Sequence, residues 1–329
     1  MLFVVWVPLV LQLLLPAGLL AWLAFGRPSS RVGLLLRALL VACYLAASGV
    51  GGLWLILPWY TPLMYAGLFI LALPRSFRRW EALPAVPGGS LSVAGAAMVG
   101  ALAVCLAGLL IYILSGWRTP ADVVELSFPL RNGTYLVVNG GSNELINAHY
   151  KTLEEERFRR WRGESYGVDI EKLNRLGLRA RGFVPKQLRR YEIFGEPVYA
   201  PCAGATIAAT DGIHEMTPPE MDRQNMAGNH VILQCRGAWI LLGHLQEGSV
   251  EVRAGQPVAE GQRIGRVGNT GNTGEPHLHI HAQRPGTEAA PLSGDPMPIR
   301  FDHRYPVRNA RIGAPPQGES DVKGLRQAE

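Results

Sequence analysis

The hydrophobic pattern alone divides the chain near residue 117. Before that point apolar residues run together with no polar face, and 1–26, 38–74 and 82–117 hold no Asp, Glu, Lys or Arg. A membrane-spanning helix needs about 20 apolar residues. Residues 2–25 and 93–114 each predict one span. The run 38–74 is too long for one span and is interrupted by Pro58-Trp59-Tyr60-Thr61-Pro62. It predicts two, 38–57 and 60–76, with the aromatic pair at the interfacial turn. The first 117 residues therefore read as an α-helical membrane region of four spans.

Beyond Trp117 the apolar stretches become short and are punctuated by Gly, Pro and Asn. Residues 124–140 predict two strands joined by the Asn132-Gly133 turn. The charged stretch 151–163 predicts a solvated helix or loop, and 165–170 a strand carrying an acidic residue, Asp169. From 196 onward, strands at 196–207, 228–235, 239–245 and 250–265 argue for an all-β sandwich or barrel. Residues 118–164 thus read as a linker with leading strands and 165–308 as a β domain. Residues 309–329, polar and rich in Gly, Pro and charge, read as a disordered tail.

Charge sharpens the membrane reading. The first 117 of the 329 residues hold six Arg and one Glu, so the formal charge of +6 falls to +1 over 118–329. The basic balance belongs to membrane-flanking arginines and gives no sign of a nucleic-acid surface. Four spans place Arg27, Arg31 and Arg37 on the same side as Arg75, Arg78 and Arg79, whereas three would separate them. The positive-inside tendency then puts both clusters in the cytoplasm and everything after Trp117 outside it. The first segment lacks the basic start of a cleavable signal, and no ionisable residue inside a span suggests a transport path. Cys43 and Cys105 lie in apolar runs. Cys202 and Cys235 lie in the polar half, where an extracytoplasmic location permits a disulfide between them.

The chemistry concentrates in Glu275-Pro276-His277-Leu278-His279-Ile280-His281, after the turn-rich Gly268-Asn269-Thr270-Gly271-Asn272-Thr273-Gly274. On a strand, alternate residues share a face. His277, His279 and His281 then project to one side, with Leu278 and Ile280 on the other. Each buried imidazole nitrogen needs a partner, and neutral imidazole is a usual zinc ligand. The GNTGNTG run has no following helix or Lys to cradle phosphate, so it reads as turns that aim the histidine strand. His230 starts an apolar strand and reads as structural. His214, Asp222 and Asn225 lie in a polar loop, 213–227, that could border a groove, and His303 lies near the tail with no assigned role.

Five ordered blocks resemble the lysostaphin-like zinc metallopeptidases, cell-wall endopeptidases that cut peptide cross-links in peptidoglycan. They are Pro197-Val198-Tyr199-Ala200-Pro201 with Gly204, Gly228-Asn229-His230-Val231, His244-Leu245, Gly255 through Gly265, and Gly271 through His279. The resemblance covers roughly 165–300 and implies an antiparallel β-sandwich. It implies zinc (Zn2+) held by Asp169 and His279, with His244 and His277 as catalytic histidines that orient or deprotonate the water and stabilise the tetrahedral intermediate. It also implies peptidoglycan peptides as partners and a bacterial cell membrane as location, the β domain lying outside the cytoplasm. The family's first His ligand falls at Ser165, and a serine hydroxyl is a poor zinc ligand. His149, from the strand region just upstream, is the preferred substitute. His281, which stands where the family usually has an acidic residue, is the other candidate.

Three functions compete. The first is a membrane-anchored zinc endopeptidase with His149, Asp169 and His279 on the metal. The second is a non-catalytic relative that binds cell wall or a protein partner, supported by Ser165 but opposed by retention of His244 and His277. The third, a lipoyl-type carrier suggested by the repeat at 252–265, fails because no Lys occurs between Lys186 and Lys323.

Overall fold

The computed structural model describes residues 2–287 and 290–314. It forms two compact units, the first ending at Ser115 and the second beginning at Gly116.

The first unit is helical. Helices α1 (Leu2–Leu9) and α2 (Leu15–Phe25) are joined by a π-helical turn, Val10–Leu14; α3 (Arg31–Gly51), α4 (Thr61–Phe77) and α5 (Ser90–Ser115) follow. Among the described residues, three stretches are long and apolar enough to cross a membrane: Trp6–Phe25, Arg31–Gly51 and Ser90–Ser115. Helix α4 has 17 residues, about 26 Å at the helical rise. The second helix starts at Arg31 rather than 38 and ends at Gly51 rather than 57. The side chain of Ser30 caps the amide of Gly33, which starts the helix ahead of the uncharged run. At the other end Gly52 turns extended, so 52–60 is a connection and not a last turn of helix. Leu20, Leu23, Leu34, Val41, Trp54 and Tyr65 form the unit's core. Arg31 donates from Nε to the carbonyl of Trp80 at 3.0 Å, and the Arg75 guanidinium lies 4.6 Å from the Phe25 ring centre. Both arginine clusters thus gather at one end of the helices.

The second unit is β-rich. Its strands are β1 (Val124–Leu126), β2 (Gly133–Asn139), β3 (Val168–Leu173), β4 (Pro197–Tyr199), β5 (Gly204–Thr210), β6 (Asn229–Cys235) and β7 (Ala238–Leu245). After these come β8 (Pro257–Val258), β9 (Arg263–Arg266), β10 (Leu278–Gln283), β11 (Pro296–Met297), β12 (Ile299–Phe301) and β13 (Arg311–Ala314). Nine of them make one sheet in the order β13-β2-β3-β10-β7-β6-β5-β8, with β11 also on β10. Two ribbons, β4-β9 and β1-β12, complete the unit.

Alternation along β10 decides the layering. Leu278, Ile280 and Ala282 are fully buried in a core shared with Val198, Ile264, Leu126 and Phe301 of the two ribbons. The opposite face of β10 carries His279 and His281, between β3 and β7. Cys202 and Cys235 form a disulfide beside the core.

Two local expectations change. Residues 124–140 do not form a hairpin: β1 pairs in parallel with β12, while β2 pairs with β3 and β13. Residues 311–314, expected in a disordered tail, form β13 against β2, because Ile312 packs onto the core. The rest of that tail, 315–329, lies outside the described residues. The charged stretch forms a 3-10 segment, Glu156–Tyr166.

Candidate metal centre

The centre is built on the three middle strands. Registers align His279 of β10 with Asp169 of β3 on one side and with Gly243 of β7 on the other. Asp169 Oδ1 lies 2.8 Å from His279 Nδ1, and Asp169 Oδ2 lies 2.9 Å from His149 Nε2. The donor atoms of His149, Asp169 and His279 all fall within 4.8 Å of one another, the one such group among the described residues. Two imidazole nitrogens and one carboxylate oxygen suit zinc and leave a fourth position open. Gly167 makes room for them. A Cβ there would sit 2.7 Å from His279 Cε1 and 3.2 Å from His149 Cδ2.

His149 reaches the centre because its segment is anchored. Asn147, fully buried, donates to the carbonyls of Gly141 and Gly167 at 3.0 and 3.1 Å. Ser165 is also fully buried, and its hydroxyl is engaged by Thr152 Oγ1 at 2.8 Å and the Arg162 carbonyl at 2.6 Å. It braces the His149 segment and does not face the donors. His281 stands behind His279: its Nδ1 lies 2.9 Å from His279 Nε2. If His279 coordinates through Nδ1, its Nε2–H donates to His281 Nδ1. The outer nitrogen of a metal-bound imidazole commonly donates in this way. His281 is therefore placed behind His279 and outside the three groups that converge. Its own Nε2 is buried and hydrogen-bonds to no described group.

Two more imidazoles complete the site. His244, the last residue but one of β7, has φ +58°, a left-handed conformation uncommon outside glycine. Strict alternation would send His244 to the core beside Leu242; the twist turns it toward His277 instead, with ring centres 4.8 Å apart. Its Nδ1 contacts the Thr270 carbonyl at 2.8 Å. A carbonyl only accepts, so Nδ1 bears the proton and Nε2 keeps its lone pair. By the same logic His277 donates from Nδ1 to the Glu275 carbonyl at 2.9 Å, and its Nε2 lies 3.5 Å from Asp169 Oδ1.

The electrostatics separate these histidines. Burial would lower His149, but the charge and hydrogen bond of Asp169 push it up to about 9. His277 is raised in the same way, the Asp169 carboxylate outweighing burial. Burial, then the neighbouring His277 and His279, holds His244 well below the ordinary range. Burial would raise Asp169, yet His149 and His277 keep it well below the usual carboxylate range.

Several supporting residues were invisible in the sequence. An irregularity in the β2–β3 register brings Asn139 opposite Asp169, where its amide donates to Oδ2 at 2.8 Å. Arg308, buried, donates in turn to Asn139 Oδ1 at 3.0 Å. Arg179 donates from Nη2 to Glu275 Oε2 at 2.6 Å and so secures the turn that carries His277. None has a motif, since each acts through tertiary contact. The GNTGNTG turns need their glycine: at Gly271, φ +87°, a Cβ would lie 2.4 Å from the Asn225 carbonyl oxygen.

Other candidates stay apart. His230 bonds the Gly228 carbonyl, His214 pairs with Glu247 at the surface, His303 pairs with Glu125, and Asp222 accepts from Asn225. The 213–227 loop does border the site through Met221 and Met226, which line a 350 Å³ cavity with Phe158 and Trp161 beside His149, His244 and His279.

The β-rich unit thus brings two histidines and an aspartate together on its large sheet. Residues 191–291 match the model of peptidase family M23. His244, His277, His279 and His281 fall inside that span, while His149 and Asp169 precede it. No curated protein sequence matches the chain. Among solved structures, a zinc-containing peptidase from Vibrio cholerae is 28% identical over 28% of this chain and 24% of its own, with a TM-score of 0.22. The match thus spans about a quarter of that protein's length. The catalytic domain of lysostaphin from Staphylococcus simulans is 23% identical over 38% of this chain and 71% of its own, with a TM-score of 0.25. A chain in the SpoIIQ–SpoIIIAH complex is 15% identical over 52% of this chain and 95% of its own, with a TM-score of 0.31.

Proposed function

We propose that the protein is a membrane-anchored, zinc-dependent endopeptidase that hydrolyses peptide cross-links of peptidoglycan outside the cytoplasm. The observation that carries this reading is the convergence of His149, Asp169 and His279 within 4.8 Å, flanked by two histidines of opposite electrostatic bias. When bound, zinc supplies Lewis acidity and lowers the pKa of a ligand water to about 7. The chain's own residues supply the rest. His244, kept neutral with its Nε2 lone pair free, accepts a proton. His277, biased toward its protonated form, donates a hydrogen bond to the oxygen that gains charge as the peptide carbonyl is attacked. The cleft walled by Phe158, Trp161, Met221 and Met226 receives the peptide.

The membrane reading belongs to the same proposal. Helix α4 is a fourth, short span that returns the chain, which keeps both arginine clusters on the cytoplasmic side and the β unit outside. The Cys202–Cys235 disulfide suits that oxidising side. The ribbons over the apolar face of the large sheet are read as the second layer of a lysostaphin-like sandwich.

The test is hydrolysis of cross-linked peptidoglycan peptides by the full-length protein in detergent, with and without a zinc chelator, beside H244A and H277A. Zinc-dependent cleavage, reduced at least a hundredfold in each variant (general acid–base and oxyanion groups contribute about 10²–10⁴), is expected. Zinc binding without cleavage would favour the second reading, a wall- or partner-binding module, for which Ser165 in place of the family histidine is the supporting observation.

A further inference from the structure

We propose that the arginine end of the helical unit holds a binding site for an anionic phospholipid, headgroup and upper acyl chain together. The site is a 450 Å³ cavity between the α2–α3 connection and the first turns of α5. The inference rests on the membrane reading above and is independent of the peptidase centre.

Arg27 and Arg37 line the cavity with the hydroxyls of Ser29 and Ser92. The Arg37 guanidinium lies 4.1 Å over the Trp22 ring and donates from Nη1 to the Trp22 carbonyl at 3.2 Å. That bond uses one of its five N–H groups. Gly26 permits the placement, since a Cβ there would come within 2.5 Å of Arg37 Nη1. The arginine is therefore positioned by the fold. No carboxylate lines the cavity: Glu81 is the one acidic residue before residue 118, and it lies with Phe77, Arg78 and Trp80 outside this lining. Two guanidiniums, two hydroxyls and no counter-charge call for an anion supplied from outside, and a phosphate fits a guanidinium bidentately.

The remaining wall sets the rest of the ligand. The cavity continues along α5 past Leu91, Gly95 and Met98. A Cβ at Gly95 would meet no atom within 4 Å, so this part is an open apolar groove of acyl-chain character. A free phosphate would leave it unfilled. Basic pockets between membrane helices take anionic headgroups in this manner, each arginine contributing about 1 kcal/mol, or roughly fivefold in affinity.

The experiment uses full-length protein in uncharged detergent. Native mass spectrometry reads retention of phosphatidylglycerol or phosphatidylcholine, with inorganic phosphate as competitor, for the unmodified chain, R27Q, R37Q and G95L. Phosphatidylglycerol is expected to be retained over phosphatidylcholine. R27Q and R37Q should each weaken retention roughly fivefold, and G95L should abolish it by filling the groove. R37Q also removes the bond to Trp22, so R27Q, whose side chain is exposed, and G95L, which enters open space, keep the test decisive if R37Q misfolds. Equal retention of the two lipids, indifference to R27Q and G95L, or full displacement by millimolar phosphate would overturn the proposal; the last would leave a simple anion site. Extraction of the chain from membranes by alkaline carbonate would instead count against the membrane reading, whatever the lipid result.

Discussion

The two units treat apolar residues in opposite ways. In the helical unit large apolar side chains face outward: Leu71 is 74% exposed, Ile111 70% and Leu91 89%. In the β unit the same residue types turn inward, and Leu278, Ile280 and Leu242 are fully buried. A water-soluble unit rarely exposes contiguous apolar surface on this scale. The first unit leaves its apolar surface on the outside, as suits an apolar solvent, whereas the second closes over its own core and gathers histidines on the other sheet face.

Substitutions can break or sharpen that contrast. The largest effect is expected at Ile280, in the β core. I280A should cost about 2–5 kcal/mol in denaturant unfolding, and a cost below 1 kcal/mol would mean that this sheet face is not the core. On the opposite face of the same strand, H281A should cost less, about 1–3 kcal/mol for the buried His279 nitrogen left unpaired, and should weaken zinc binding by about 10–100-fold in chelator competition, as loss of an orienting partner does. Unchanged affinity would show that His281 plays no part in orienting His279. Acidity gives the next effect. His149, raised to about 9, holds a proton below that pH in the metal-free chain, and metal must displace it. Zinc affinity should therefore climb about tenfold per pH unit from 7 toward 9 and level off above. A flat profile would show that His149 carries no proton for the metal to displace over this range. Least is expected in the helical unit, where L71A should change stability in detergent by no more than about 0.5 kcal/mol, because the side chain is 74% exposed and packs on little protein. A loss of several kcal/mol would place Leu71 in a protein interface.

How far the sequence reveals this plan depends on which physical rule is at work. Period-two alternation separates Leu278 and Ile280 from His279 and His281 without any structure. It fails at His244, where one left-handed residue reverses the face and where the family resemblance, not periodicity, points to the site. Uncharged length finds the three helices long and apolar enough to cross a membrane but misplaces the start of α3, because a Ser30 cap and two tolerated arginines extend the helix past the apolar run. The 124–140 hairpin expectation failed for a further reason. Local turn chemistry cannot see that β12, far along the chain, offers β1 a better edge. Asn139, Arg308 and Arg179 escape for the same cause, since each serves the centre through contacts made only on folding. His149 was reachable as a candidate because it lies just upstream of Asp169, although it sits in the connection between β2 and β3 and not on the neighbouring strand expected.

The exchange of ligands between positions 165 and 149 is the central claim, and metal content tests it most directly. Full-length protein, H149A and S165A would be purified in detergent, loaded with zinc, dialysed and analysed for metal. The account predicts about one zinc per chain in the unmodified protein and in S165A, with loss in H149A. Zinc retained by H149A but lost from S165A, or no zinc in the unmodified chain, would contradict it.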